Sequence, residues 1–208
     1  MNPPLPRRES TDDRRQAIAL AARDLIVEKG FEGLRTRDIA ERVGINIATL
    51  HYHVPSKEAL IRLVAENLRD GFIAQAATED RQGLSPMRQL ELEFDDYAEL
   101  LGDRKGLLSA MTELMERARR DPAVKAAVQP LVANWRRITQ DILAAGRLSG
   151  DFRPDLDPAP AAQMLVSALI GFSKSPDPTP DNFTRLRAEL VRAVRNPDRP
   201  LAPKDTSA

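Results

Sequence analysis

The stretch TRDIAERVGINIATLHYHVP, residues 36–55, constrains the fold of this chain more than any other. It reads as two short helices in succession. Thr36 can cap the first, Ile39, Ala40 and Val43 form its apolar face, Gly44 breaks it, Asn46 caps the second, and Pro55 ends that one. Helices this short are marginal alone in water, so both must be held by something longer. The preceding segment TDDRRQAIALAARDLIVEKG supplies it: Ser10, Thr11 or Asp12 can cap it, Ile18, Ala21, Ala22, Leu25 and Ile26 share one face, and Gly30 closes it.

The spacing within residues 36–55 has a physical cause. Ala40 is small enough for two helices to approach, Gly44 accepts the turn, and Ile39, Val43, Ile45 and Leu50 bury the inner face. Asn46, Ile47, Ala48, Thr49, His51, Tyr52 and His53 are left facing outward. This is a helix-turn-helix pattern, whose second helix can lie in the major groove of DNA. Both histidines of the chain and one of its two tyrosines fall in three consecutive positions of that helix.

Total charge gives no pull toward nucleic acid, because Lys plus Arg and Asp plus Glu are 31 each. Residues 1–60 carry 10 basic and 9 acidic side chains, so any nucleic-acid face must be local. The absence of cysteine excludes disulfides, thiolate zinc sites and thiol nucleophiles, and fits a reducing cytoplasm. No apolar run of about 18 residues could span a bilayer, so a soluble intracellular protein with no membrane partner is expected. With 4% aromatic residues and long segments rich in Ala, Leu, Arg and Glu, the expected class is all-α.

The expected layout has a disordered arm over 1–10, a three-helix domain over 11–57, a larger helical domain over 58–195 and a disordered tail over 196–208. A long helix starts after Ser56 with Leu60, Leu63, Val64 and Leu68 inward. Further helices are expected near 85–101, 106–119, 122–146, 158–173 and 181–195, with LSGDFRPDLDP and SPDPTPD as loops. The run APAAQMLVSALIGF has almost no polar face, so it should be covered by the core and by a second subunit. Met164, Leu165, Ala168, Leu169, Phe172, Leu186, Leu190 and Val194 are the candidate dimer residues.

The segment GFEGLRTRDIAERVGINIATLHYHVPSKEALIRLV resembles the DNA-binding domain of the TetR family of bacterial transcriptional regulators, with residues 13–75 following it in order and the motif at about 35–54. LAAGRLSGDFRPDLDPAPAAQMLVSALIGF is similar to the looser C-terminal part of that family, where a G-x-x-R-P-D-x-D-P loop leads into dimerisation helices. By matching position, the resemblance implies that Thr36, Arg37 and Lys57 meet phosphates. It places Ile47, Ala48 and Thr49 at base edges, counts the capping Asn46 among the residues that touch DNA, and makes His51, Tyr52 and His53 an aromatic cluster on phosphates and thymine methyls. His51 stands where Tyr is usual, Val54 where Phe is commoner and Asn46 where Ser is frequent, departures that bear on which bases are read.

The resemblance further implies a homodimer on a palindromic double-stranded DNA operator and repression released by a small-molecule effector of unknown identity, bound in a C-terminal ligand-binding and dimerisation domain. Phe94, Tyr97, Leu101, Met111, Met115, Trp135 and Met164 are the candidate pocket residues, and ordinary core packing explains each equally well. No metal or cofactor is expected: His51 and His53 point apart on a helix, and Glu113 and Glu116 lack an E-x-x-H partner. The acidic run ELEFDDYAEL reads as a solvated helix face. The competing readings are a helical small-molecule-binding protein or enzyme, disfavoured by the absence of G-x-S-x-G, phosphate-loop or catalytic-cysteine motifs, and a protein-docking module.

Overall fold

A computed structural model describes residues 10–199. Among these residues there are nine α-helices: α1 Thr11–Lys29, α2 Thr36–Val43, α3 Ile47–His53, α4 Lys57–Ala76, α5 Pro86–Leu101, α6 Lys105–Ala118, α7 Pro122–Ser149, α8 Pro158–Ser173 and α9 Pro180–Val194. A single 3-10 turn, Phe31–Gly33, is the one element the sequence reading did not anticipate. No strand occurs among the described residues; Phe152 and Arg195 form an isolated antiparallel bridge. The all-α expectation holds.

Most of the expected arm and tail lie outside the described residues. Ser10 belongs to α1: its hydroxyl accepts from the Asp13 amide at 3.0 Å while the Asp13 carboxylate accepts from the Ser10 amide at 3.1 Å, a reciprocal cap on two otherwise orphaned donors. Residues 196–199 are tied down as well, because the Asn196 amide donates to the Asp151 carbonyl at 2.9 Å and Arg199 donates to the Ser149 carbonyl at 2.9 Å.

The chain packs as two compact units. The first joins residues up to 75 with 105–131, and the second joins 76–104 with the residues from 132 onward. Within the first, the face foreseen for α1 is buried, with Ile18, Ala22, Leu25 and Ile26 at most 1% exposed. It covers Ile39 and Ala40 of α2 and Leu50 of α3, and α6 lies against α1 and the 3-10 turn. Leu60, Leu63, Val64 and Leu68 of α4 are buried as their period requires.

In the second unit α5, α8 and α9 meet around aromatic rings. The Tyr97 ring centroid lies 4.9 Å from that of Phe183, which is 5.7 Å from that of Phe172, and the Tyr97 hydroxyl donates to the Leu169 carbonyl at 2.7 Å. Burial pushes the Tyr97 phenol up to about 12. The acidic run is not wholly a solvated face: the Glu93 and Asp96 carboxylates both accept from the Arg81 guanidinium, and Glu93 also accepts from the Trp135 indole at 3.2 Å. Burial raises both carboxyls above their ordinary values against the pull of Arg81. Where α7 ends, Phe152 folds back over Gly146 so closely that a Cβ there would sit 2.0 Å from the ring.

Two stability predictions follow from this packing. Gly146→Ala, which in an open helix would stabilise by about 1 kcal/mol, is expected to destabilise by about 2 kcal/mol through overpacking, and Phe152→Leu in the same chain to recover part of the loss; thermal or urea unfolding measures both. Arg81→Met is expected to cost about 2–3 kcal/mol at neutral pH by removing the cation that two part-buried carboxylates share. Because those carboxyls already have raised values, the cost should shrink as pH falls and they take up protons. A cost independent of pH, or one not relieved by adding Glu93→Gln and Asp96→Asn, would count against this account of the cluster.

Candidate nucleic-acid interface

Local rules place the side chains of the turn. Arg35 is extended (φ −119°, ψ 138°) and α2 begins at Thr36, so Thr36 is the first helical residue rather than the cap the sequence suggested. Gly44 ends α2 in the left-handed region (φ 72°, ψ 33°), and the Ile45 amide then donates to the Ala40 carbonyl at 2.9 Å. A Cβ at Gly44 would meet open space, so glycine is required there for its φ alone.

The start of α3 is fixed by Asn46, whose Oδ1 accepts from the Thr49 amide at 2.7 Å. Arg15 of α1 secures its other end by donating to the His53 carbonyl at 3.1 Å. Leu50 is the one fully buried residue of α3. Ile47, Ala48, His51 and Tyr52 are exposed, Tyr52 to 81%, while Thr49 and His53 are half-buried. The Tyr52 and His53 rings meet edge-on at 5.1 Å between centroids. Ser56 then caps α4, its Oγ accepting from the Ala59 amide at 3.1 Å.

These elements enclose an open concavity of about 840 Å³. Of the ten residues expected to touch DNA, it brings together Thr36, Arg37, Ile47, His51 and Lys57. Asn46, Ala48, Thr49, Tyr52 and His53 do not line it; the three that are exposed, Asn46, Ala48 and Tyr52, stand on the surface of the same turn and α3. Arg35 and Ser56 also line it, and the sequence reading passed them over. The signal was available: each immediately precedes a helix start, where a side chain and the first free amides converge on one point.

The electrostatics resolve how a nearly neutral domain can present a local positive face. On the side formed by α1 and α2 two cations are neutralised: Arg42 holds Glu28 through two hydrogen bonds of 2.7 and 2.8 Å, and Lys29 lies 2.7 Å from Asp38. Those hydrogen bonds keep the Glu28 and Asp38 carboxyls below their ordinary values. Arg35, Arg37 and Lys57, by contrast, form no ion pair with any described residue. Lys57 instead sits 5.1 Å from the centroid of the buried Phe31 ring, and Arg117 of α6 lies 5.2 Å from the same centroid while its guanidinium holds Glu32 and, at 3.2 Å, Asp121.

The remaining candidates divide between the two units. Met111 and Met115 belong to α6 of the first; Phe94, Tyr97, Leu101, Trp135 and Met164 belong to the second, where Phe94 and Tyr97 are core. Among the candidate dimer residues Leu165, Leu169, Leu190 and Val194 are buried within the chain itself, where α9 packs on α5 and α8. Met164 is 44% exposed, and Ala168, Phe172 and Leu186 are part-exposed. No helix among the described residues is long and apolar enough to cross a membrane.

Comparison with known proteins agrees with this geometry. Residues 18–64 match the family model described as bacterial regulatory proteins of the tetR family, and residues 107–175 match the tetracyclin repressor-like C-terminal domain. The HTH-type transcriptional regulator UidR of Escherichia coli K12 is 24% identical over 157 residues, covering 76% of this chain and 78% of that protein. The HTH-type transcriptional repressor KstR2 of Mycolicibacterium smegmatis is 26% identical over 144 residues, covering 69% and 70%. A TetR-family transcriptional regulator from Rhodococcus sp. superposes with a TM-score of 0.77 at 22% identity, over 88% of this chain and 98% of that one. With residues 18–64 and 107–175 matching the N-terminal and C-terminal models of one family, the chain belongs to the TetR family of bacterial transcriptional regulators.

Proposed function

We propose that this protein is an effector-responsive repressor that binds a palindromic operator as a homodimer, with one α3 in the major groove of each half-site and the two helices about 34 Å apart. The observation that carries the reading is the charge pattern: Arg35, Arg37 and Lys57 are left without ion pairs around α3, while Lys29 and Arg42 behind it are paired. A polyanion is the partner such a surface suits. Thr36, Arg37 and Lys57 hold phosphates, Lys57 beside the free amides at the start of α4, and the outer face of α3 meets the bases. Asn46 keeps the capping role its sequence position suggests: its carboxamide oxygen is engaged in holding the start of α3, so it shapes the reading helix.

Regulation follows from what the first unit contains. Besides α4, it includes α6, which packs on α1 and the 3-10 turn and whose Arg117 shares the Phe31 ring with Lys57. An effector held in the C-terminal domain that binds one placement of α4 and α6 more tightly than another would shift Lys57 and the reading helices with them. The repressor sense is supported by the relative KstR2, a transcriptional repressor, and the working compartment would be the cytoplasm, where the operator is.

Fluorescence anisotropy against DNA flanking the gene, at two salt concentrations and with scrambled duplex as control, tests the reading. Tight, selective, salt-sensitive binding is expected. Lys57→Ala should weaken it about tenfold and lower the salt slope by about one unit. Tyr52→Ala should weaken it with dimerisation intact, since an 81% exposed side chain holds no part of the fold. Unselective binding to operators recovered from random duplexes, or variants that bind like the parent, would contradict it.

A further inference from the structure

The outer face of α3 carries an unusual set of side chains for a helix that reads bases. Its seven residues, Ile-Ala-Thr-Leu-His-Tyr-His, include no Arg, Lys, Asn or Gln. The bidentate pairs by which such side chains recognise guanine and adenine in the major groove are therefore unavailable from α3. The neighbouring Asn46 does not supply one, because its Oδ1 accepts from the Thr49 amide at 2.7 Å. What α3 offers instead, at its first two positions, is two adjacent apolar side chains. Ile47 is 41% exposed and Ala48 is exposed beside it.

An isoleucine left in water at the lip of a concavity also lined by Arg35, Arg37 and Lys57, with the one lining carboxylate, Asp38, held by Lys29 at 2.7 Å, invites a partner that is anionic around its edge and apolar at one point. In the major groove only one base feature fits the apolar point: the 5-methyl group of thymine. The purine N7 and O6 acceptors, set against an aliphatic side chain, would lose water and gain no donor, so the same surface that attracts thymine disfavours guanine and adenine at that position.

We infer that Ile47, with Ala48, is a specificity-determining residue that selects thymine at a fixed position in each operator half-site through contact with its 5-methyl group. The inference rests on the DNA-binding reading above and goes beyond it by naming the base and the atom recognised. Discrimination comes from burying a methyl group, so it is modest per base and independent of salt, unlike the phosphate contacts around it.

The test uses the full-length protein and the duplex it selects from a random pool. Each thymine of one half-site is replaced singly by deoxyuridine, which removes the methyl group and keeps every hydrogen-bonding atom. Affinity should fall about fourfold at one or two positions, the size expected for one methyl group, and by the same factor at high and low salt. Ile47→Ala should bind the thymine and uracil duplexes alike at those positions. The wild-type comparison needs no variant, so a misfolded Ile47→Ala would not spare the inference. Selective binding indifferent to every thymine-to-uracil change overturns it and leaves the regulator reading standing, as does an effect that persists undiminished in a folded Ile47→Ala. Failure to select any duplex above background overturns both.

Discussion

The structure of the candidate interface depends on one packing relation, the burial of α2 and α3 against the apolar stripe of α1. Helices of eight and seven residues have no stability of their own in water. Ile39, Ala40 and Leu50 are nearly inaccessible because Ile18, Ala22, Leu25 and Ile26 cover them, and Arg15 of α1 adds a hydrogen bond at the far end of α3. Burying Leu50 turns Ala48 and Tyr52, on the opposite side of the helix, to solvent, with His51 beside them and Ile47, one turn before Leu50, at the edge of the buried face. The candidate reading surface is the reverse side of a core contact.

A second constraint is electrostatic. With as many acidic as basic residues, the chain gains no attraction for DNA from its total charge. It makes a positive face by pairing selectively: Glu28 and Asp38 are used up on Arg42 and Lys29, and the residues flanking the concavity keep their charge. Lys57 is held near Phe31 rather than near a carboxylate, which fixes its position while leaving its hydrogen-bond donors free for an anion. The same ring carries Arg117, so a residue of α6, distant in sequence, shares the support of a candidate phosphate contact.

Much of this was legible in the sequence, and the physical reason is periodicity. Apolar faces at 3.6-residue spacing, a glycine where φ must be positive and a proline where a helix must stop gave the order of the helices to within a few residues. Side-chain capping was partly visible: Asn46 and Ser56 act as read, whereas Thr36 yields the cap position to Arg35. Long-range pairing was not visible. Nothing local says that Arg81 reaches Glu93 and Asp96 and so withdraws part of an acidic run from solvent, or that Arg117 reaches Glu32. The grouping of α6 with α1 to α4 is likewise a property of packing between elements some 75 residues apart, which no local pattern encodes.

The central claim is that the concavity between α2, α3 and the start of α4 is where DNA sits. Hydrogen–deuterium exchange of the full chain, with and without its selected operator duplex, addresses it residue by residue. The account predicts slowed amide exchange over residues 35–37 and 44–57 on operator binding, with no change from a scrambled duplex at the same salt. Protection that leaves those segments untouched and falls elsewhere on the chain would contradict it.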